Sequence, residues 1–217
     1  MTATVPMPTL AGQRASPRAD RSRRPSGMSW LALALTLLAG LSAGLVGGTG
    51  AARAESPSAY MQRVANELMT ASRSGSTSMF ASVLRNHADV PWLGAYSLGD
   101  YARAMPAGDK PTYYNGMINF IARYAAKEAP KYPVASAVVT GVGSESKVGT
   151  EVDTRVTLRS GETYDVRWLV VRRGQGYKVR DAQVVGFWMS PFLKNLFEKY
   201  IAENGGNPRA LVVALNR

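Results

Sequence analysis

The 217-residue chain contains no cysteine. That absence excludes disulfides, thiolate zinc sites, iron–sulfur clusters and a cysteine nucleophile, and it rules out lipoprotein processing. Histidine is nearly absent too, with His87 alone. A zinc-binding H-E-x-x-H needs two histidines, and a catalytic triad needs an acid that orients the ring. Asp89 stands too near His87 in sequence to serve as that acid. There is no G-x-S-x-G elbow, no phosphate-binding G-x-x-x-x-G-K-[ST] loop and no strand-borne G-x-G-x-x-G; Gly141-Val142-Gly143 fails the spacing and precedes a strand. His87 therefore reads as a structural residue at the polar or boundary side of a helix end. With no histidine–acid pair in view, no enzymatic activity and no metal site are expected. Asp181 is the one carboxylate set apart from the scattered outer-face acids of the strands, and it reads as a solvated or hydrogen-bonded strand residue.

Acidic side chains are scarce: 15 stand against 26 basic ones, a formal net charge of +11. Nucleic acid is the first reading of such a balance. The excess is uneven, however. Arg14, Arg18, Arg21, Arg23, Arg24 and Arg53 face the single acid Asp20 within residues 1–54. The remainder is mildly basic and has no Lys/Arg run; Arg172-Arg173 is its densest pair and sits beside a turn. No nucleic-acid partner is expected.

Residues 1–54 instead carry an export pattern. Met28–Val46 is uncharged and apolar, Arg21, Arg23 and Arg24 precede it, and Ala52-Arg53-Ala54 supplies the small residues of a cleavage site. This predicts a signal peptide over residues 1–54, cleaved after Ala54, and a periplasmic location for the rest. The competing reading is an uncleaved anchor, since the run nearly spans a bilayer. Its Gly/Ala content, the following Gly47-Gly48-Thr49-Gly50 and the immediate cleavage motif favour removal. Arg23-Arg24 is followed by Pro25-Ser26-Gly27, a poor match to a twin-arginine signal.

From residue 55 on, the periodicity changes twice: helical over 58–129, strand-like over 134–187, helical again over 190–215. A first helix carries Tyr60, Val64 and Leu68 on one face. A second is capped by Ser76 or Thr77. A third opens with Asp89 as cap and Pro91 in its first turn, and Gly99 closes it. A longer helix spans about Asp109 to Lys127, stopped by Pro130 and Pro133. Its two stripes, Tyr113–Met117–Phe120–Tyr124 and Tyr114–Ile118–Ile121–Ala125, give it a wide apolar face that plugs a core or lines a cavity.

Four strands follow: 134–142, 148–159, 162–172 and 177–187. Val152, Thr154, Val156 and Leu158 alternate with charged neighbours, and Tyr164, Val166, Trp168 and Val170 do the same. Turns at Ser160-Gly161 and Gly174-Gln175-Gly176 make the strands an antiparallel meander with one apolar face for helices to cover. Ser190-Pro191 then opens a helix ended by Gly205-Gly206, and Asn207-Pro208 starts a last short one. The fold class is α+β.

Several stretches together resemble the toluene-tolerance (MlaC) family of periplasmic phospholipid-binding proteins, over nearly all of residues 55–217. They are Asp89-Val90-Pro91-Trp92-Leu93-Gly94 with Tyr96-Ser97-Leu98-Gly99-Asp100-Tyr101; the Tyr113–Tyr124 helix; the Tyr164–Val171 strand; Gly176–Asp181 with Val184-Val185-Gly186; and the Phe192–Ala202 helix with Asn204-Gly205-Gly206. A hopanoid-associated branch of the family is similar as well. One departure is the loop Met105–Pro111, where a Met replaces the Thr of the Thr-Pro that usually leads into the long helix.

The resemblance implies a cystatin-like (nuclear-transport-factor-like) fold, one lipid-binding domain over 55–217, and acyl tails held between sheet and helices with the headgroup outside. No cofactor is implied beyond the bound lipid. Matched to the patterns above, the helix walls of the pocket are Trp92, Tyr96, Tyr113, Met117, Phe120, Ile121 and Tyr124. The strand walls are Val156, Val166, Trp168, Val170 and Val185, with Phe187, Trp188 and Met189 at the rim. Implied partners are a phospholipid, or a hopanoid in the sister branch; an inner-membrane ABC transporter with its MCE subunit; and an outer-membrane lipoprotein–porin complex. The protein is expected to be a monomer. A hopanoid carrier and a structural protein with a filled core remain the alternatives.

Overall fold

The computed structural model describes residues 55–217, so the signal-peptide and cleavage expectations lie outside the described residues. Two helices begin where short polar caps meet an apolar period. Ser56 accepts the amide of Ala59 at the start of α1 (Pro57–Ser74), and Ser76 accepts that of Met79 at the start of α2 (Thr77–His87). Then come α3 (Val90–Leu98), two short 3₁₀ turns (Gly99–Arg103 and Ala107–Asp109) and α4 (Lys110–Glu128). A third 3₁₀ turn, Ala129–Lys131, carries Pro130 and ends the helical half.

The sheet is a five-stranded antiparallel meander in the order β1 (Val134–Val142), β2 (Thr150–Leu158), β3 (Thr163–Arg173), β4 (Gly176–Val184) and β5 (Phe187–Trp188). The predicted alternation sets the register: Val152 pairs with Trp168, Thr154 with Val166, and Val156 with Tyr164. Outside, the same register aligns Asp153 with Arg167 and Arg155 with Asp165, and both pairs form ion pairs at 2.7 and 2.8 Å.

One strand reading is corrected. The segment 177–187 is not one strand, because the chain reverses at Val185-Gly186. Both residues have positive φ, +50° and +82°, and Val184 pairs directly with Phe187 across them. Two consecutive positive φ values in a two-residue loop match the twist of a hairpin. A β-branched valine is a poor signal for that turn, which hid it in the sequence. Val185 therefore sits at a hairpin tip, 61% exposed, rather than on the inner face of a strand.

Helix α5 (Met189–Glu203) and helix α6 (Pro208–Leu215, capped by Asn207) complete the chain. Ser190 is not the cap of α5. The helix starts one residue earlier, and the Ser190 hydroxyl and amide both donate to the Asp181 carboxylate. Asp181 is thus a hydrogen-bonded strand residue, and it ties β4 to the first turn of α5.

Helix α1 lies across β1 and β2, while α3 and α5 meet β4; α4 packs against α2, α3 and α6. The result is a helical layer covering the apolar face of the sheet. Its interior divides into three clusters. Tyr113, Met117, Leu193, Phe197, Ile201, Leu211 and Leu215 form an all-helical core. Tyr60, Met61 and Val64 of α1 bury Val152 and Val170 of the sheet. Phe80, Ala71 and Ile118 join α1, α2 and α4. Close approach within the helical layer depends on Gly94, where an added Cβ would lie 2.4 Å from the ring of Tyr114. No helix among the described residues is long and apolar enough to cross a membrane.

Candidate functional site

The expected pocket residues fall into four sets. In the helical layer, Tyr113 and Met117 are fully buried, with Phe120 and Ile121 packed at the edge of their cluster. The Tyr113 hydroxyl is 2.8 Å from Ser97 Oγ and 3.2 Å from the Gly94 carbonyl to which it donates. Burial raises the Tyr113 phenol well above its ordinary value of 10.0, against the smaller lowering effect of Ser97. Tyr113 therefore acts as a neutral, bonded core residue. Tyr124, by contrast, is 61% exposed. It lies one turn beyond Phe120 on the same stripe, so α4 offers an apolar surface that passes from core to solvent.

On the sheet, Val166 and Val170 are buried, and Val156 and Trp168 are half-buried. The Trp168 indole donates to Thr154 Oγ1 at 3.2 Å, which fixes the ring against β2. Val170 belongs to the α1–sheet cluster and Trp168 packs beside it, while Phe120, Ile121, Tyr113 and Met117 belong to the helical one. The two wall sets are thus not gathered around one shared core.

The rim residues do lie together. Phe187 is 73% exposed and Met189 is 39% exposed, with Trp188 half-buried between them. Met189, Phe192 and Leu196 follow at helical spacing, and the last two are 63% and 40% exposed. This stripe runs beside the buried one formed by Ser190, Leu193, Phe197 and Ile201. Helix α5 is therefore apolar over much more of its circumference than its packing uses. Phe192 and Leu196 were not among the expected site residues. Their i, i+4 spacing was the available signal, but the same spacing also describes core.

Trp92 and Tyr96 stack at 4.9 Å on α3, and the guanidinium of Arg180 lies 5.0 Å above the Trp92 ring. Here the expectation for Asp89 is corrected: its side chain caps no helix amide. Instead Asp89 Oδ2, in a carboxylate only 5% exposed, accepts Arg173 at 2.8 Å and Arg180 at 3.2 Å. Two arginines on β3 and β4 take the carboxylate from the backbone amide, because they offer cationic donors where the amide offers a neutral one. The stretches 89–94 and 176–181, which carried the family resemblance, thus meet at one carboxylate. A cleft of about 580 Å³ opens here, lined by Ala88, Asp89, Pro91, Trp92, Arg173 and Lys178.

The expected lack of a histidine–acid pair is corrected as well. His87 is buried, and its Nε2 is 2.8 Å from Glu67 Oε2, with Nδ1 3.3 Å from the Tyr60 hydroxyl. Both partners come from α1, 20 and 27 residues earlier. Burial raises the Tyr60 phenol to about 12. The trio ties α1 to the end of α2. Both ring nitrogens are taken by Glu67 and Tyr60, and among the described residues no serine or threonine hydroxyl bonds the imidazole. Among the described residues, no group of three or more His, Asp or Glu side chains is placed to hold a metal ion.

Comparison with known proteins gives a family and a structural likeness. The family described as MlaC protein matches residues 58–217. The phospholipid-binding protein from Ralstonia solanacearum, solved in complex with a phospholipid, is similar in structure at 18% identity and a TM-score of 0.61. The likeness covers 73% of this chain and 94% of that one, and it establishes a shared fold. No curated protein matches the sequence.

Proposed function

Because this chain belongs to the MlaC protein family, we propose that it is a periplasmic phospholipid carrier, holding acyl tails between its sheet and its helical layer. The observation that carries the reading is apolar surface the fold leaves unfilled: Phe120, Ile121, Val156 and Trp168 stay only half-buried, and Phe187, Met189, Phe192 and Leu196 stand exposed along β5 and α5. A filled core would bury that surface. The similar protein from Ralstonia solanacearum was solved with a phospholipid bound, which supports the ligand class.

The walls belong to separate clusters, so tails enter from the rim at Phe187–Met189 by parting the helical layer from the sheet. The energetics then constrain release. Each buried methylene is worth about 0.8 kcal/mol, so two tails leave into water far too slowly to be useful. Unloading therefore requires a partner that offers a continuous apolar path. The partners that fit are an inner-membrane ABC transporter with its MCE subunit on one side and an outer-membrane lipoprotein–porin complex on the other.

Retention tests this directly. Protein loaded with a fluorescent phospholipid is freed of excess lipid and diluted into buffer. The reading predicts that label stays with the protein for hours and leaves when partner is added. Loss to buffer within seconds contradicts it.

A further inference from the structure

We propose that the cleft beside Asp89 is a binding site for a phosphate group, separate from the lipid-tail pocket and independent of the carrier reading. Three cations gather there around one acid, Arg173 and Arg180 paired with it and Lys178 beside it on the cleft wall. Arg173 and Lys178 line the cleft, and Arg180 stands behind Trp92. Both guanidiniums lie within 3.3 Å of the same oxygen, Asp89 Oδ2. The single carboxylate offsets one charge of three. The surplus of about two matches a phosphate monoester, which carries roughly −1.5 to −2 near neutral pH.

The cations are also held in place. Asp89, 5% exposed, is fixed by its own amide, which donates to the Val179 carbonyl at 2.8 Å. Lys178 donates to the Asn86 carbonyl. The Arg173 side chain nevertheless stays 49% exposed, so it can reach a ligand while keeping its ion pair. Ala88, Pro91 and the Trp92 ring supply an apolar wall for the body of the ester.

This site is remote from the lipid rim. On the β3–β4 ladder, Arg173 pairs with Gly176 at one end and Val166 with Val184 toward the other. At about 3.3 Å per residue, roughly 20 Å separates them. The headgroup of a lipid whose tails enter at the rim does not occupy the cleft. The phosphate belongs either to a soluble ester or to a headgroup in a bilayer against which the protein rests.

The test is a titration of the purified protein with sodium phosphate against sodium chloride of equal ionic strength. The indole N–H resonance of Trp92 is followed by NMR. A saturable shift is expected, with a midpoint in the millimolar range or below, that chloride does not reproduce. Lys178→Gln, which leaves both Asp89 ion pairs in place, should weaken it about tenfold, the effect of one lost charge-assisted bond. A shift that chloride reproduces, or that Lys178→Gln leaves unchanged, overturns the proposal. Sedimentation with vesicles then separates the sources. Pelleting with phosphatidic acid vesicles but not with phosphatidylglycerol vesicles, whose headgroup is a diester, competed by free phosphate, assigns the site to a bilayer headgroup. Saturable phosphate binding without pelleting assigns it to a soluble ester. No saturation and no pelleting overturns both.

Discussion

Asp89 holds Arg173 at 2.8 Å across 84 residues of sequence, and the same carboxylate oxygen holds Arg180. The pairing joins the α2–α3 junction to the β3–β4 hairpin. Asp89→Asn would keep the shape but leave two arginines facing a buried neutral group. The expected loss is about 3 kcal/mol, the lower end for breaking a buried pair, since Arg173 is half-exposed. Urea unfolding measures it. A change under about 0.5 kcal/mol would show that the pair is dispensable.

Much of the fold was legible because its signals were local. Alternation along β2 and β3 set the sheet face and the register, and Ser76, Asn207 and Gly99 marked helix ends where expected. What stayed hidden depended on partners brought together by folding. Asp89 reads as a helix cap until Arg173 and Arg180 arrive beside it. His87 reads as isolated because Glu67 and Tyr60 lie on another helix. At Val185, the residue type contradicts the backbone it adopts, so the hairpin was invisible. The candidate pocket was legible as a set of apolar stripes, but periodicity cannot tell a stripe that fills a core from one that remains half-open. Phe192 and Leu196 were missed for that reason.

Val185 occupies a left-handed conformation that costs a β-branched residue free energy. Val185→Asn should raise stability by about 1 kcal/mol, because asparagine suits this position of the turn. The readout is the midpoint of urea unfolding at unchanged slope. A loss of stability would mean that the exposed valine makes contacts worth more than the strain.

His87 is structural in this account. His87→Ala should destabilise the protein by about 2 kcal/mol through the two lost bonds to Glu67 and Tyr60 and the space left by a buried ring. Phospholipid retention by the folded fraction should not change. Loss of retention with the fold intact, judged by circular dichroism, would place His87 in the function.

Tyr60 gives a pH dependence with a definite sign. Its phenol is raised in the folded state, mainly by burial, to about 12 from 10.0. Between those values the unfolded chain loses the proton while the folded one keeps it. The stabilisation is therefore complete below pH 10 and is lost as pH rises toward 12, and burial of Tyr113 acts in the same direction. The unfolding midpoint should fall across this window, and Tyr60→Phe should flatten the fall. An identical profile for Tyr60→Phe would contradict the assignment.

The central claim is that this chain carries a phospholipid, and native mass spectrometry of protein purified without detergent tests it most directly. The account predicts a single species heavier than the chain by one phospholipid, with the lipid identified by organic extraction. It also predicts loss of that species when Trp168→Asp places a charge on the half-buried wall. A co-purifying hopanoid would keep the pocket and change the cargo. A bare chain mass, with no lipid taken up from vesicles, would show that the apolar stripes are only core and would contradict the carrier function.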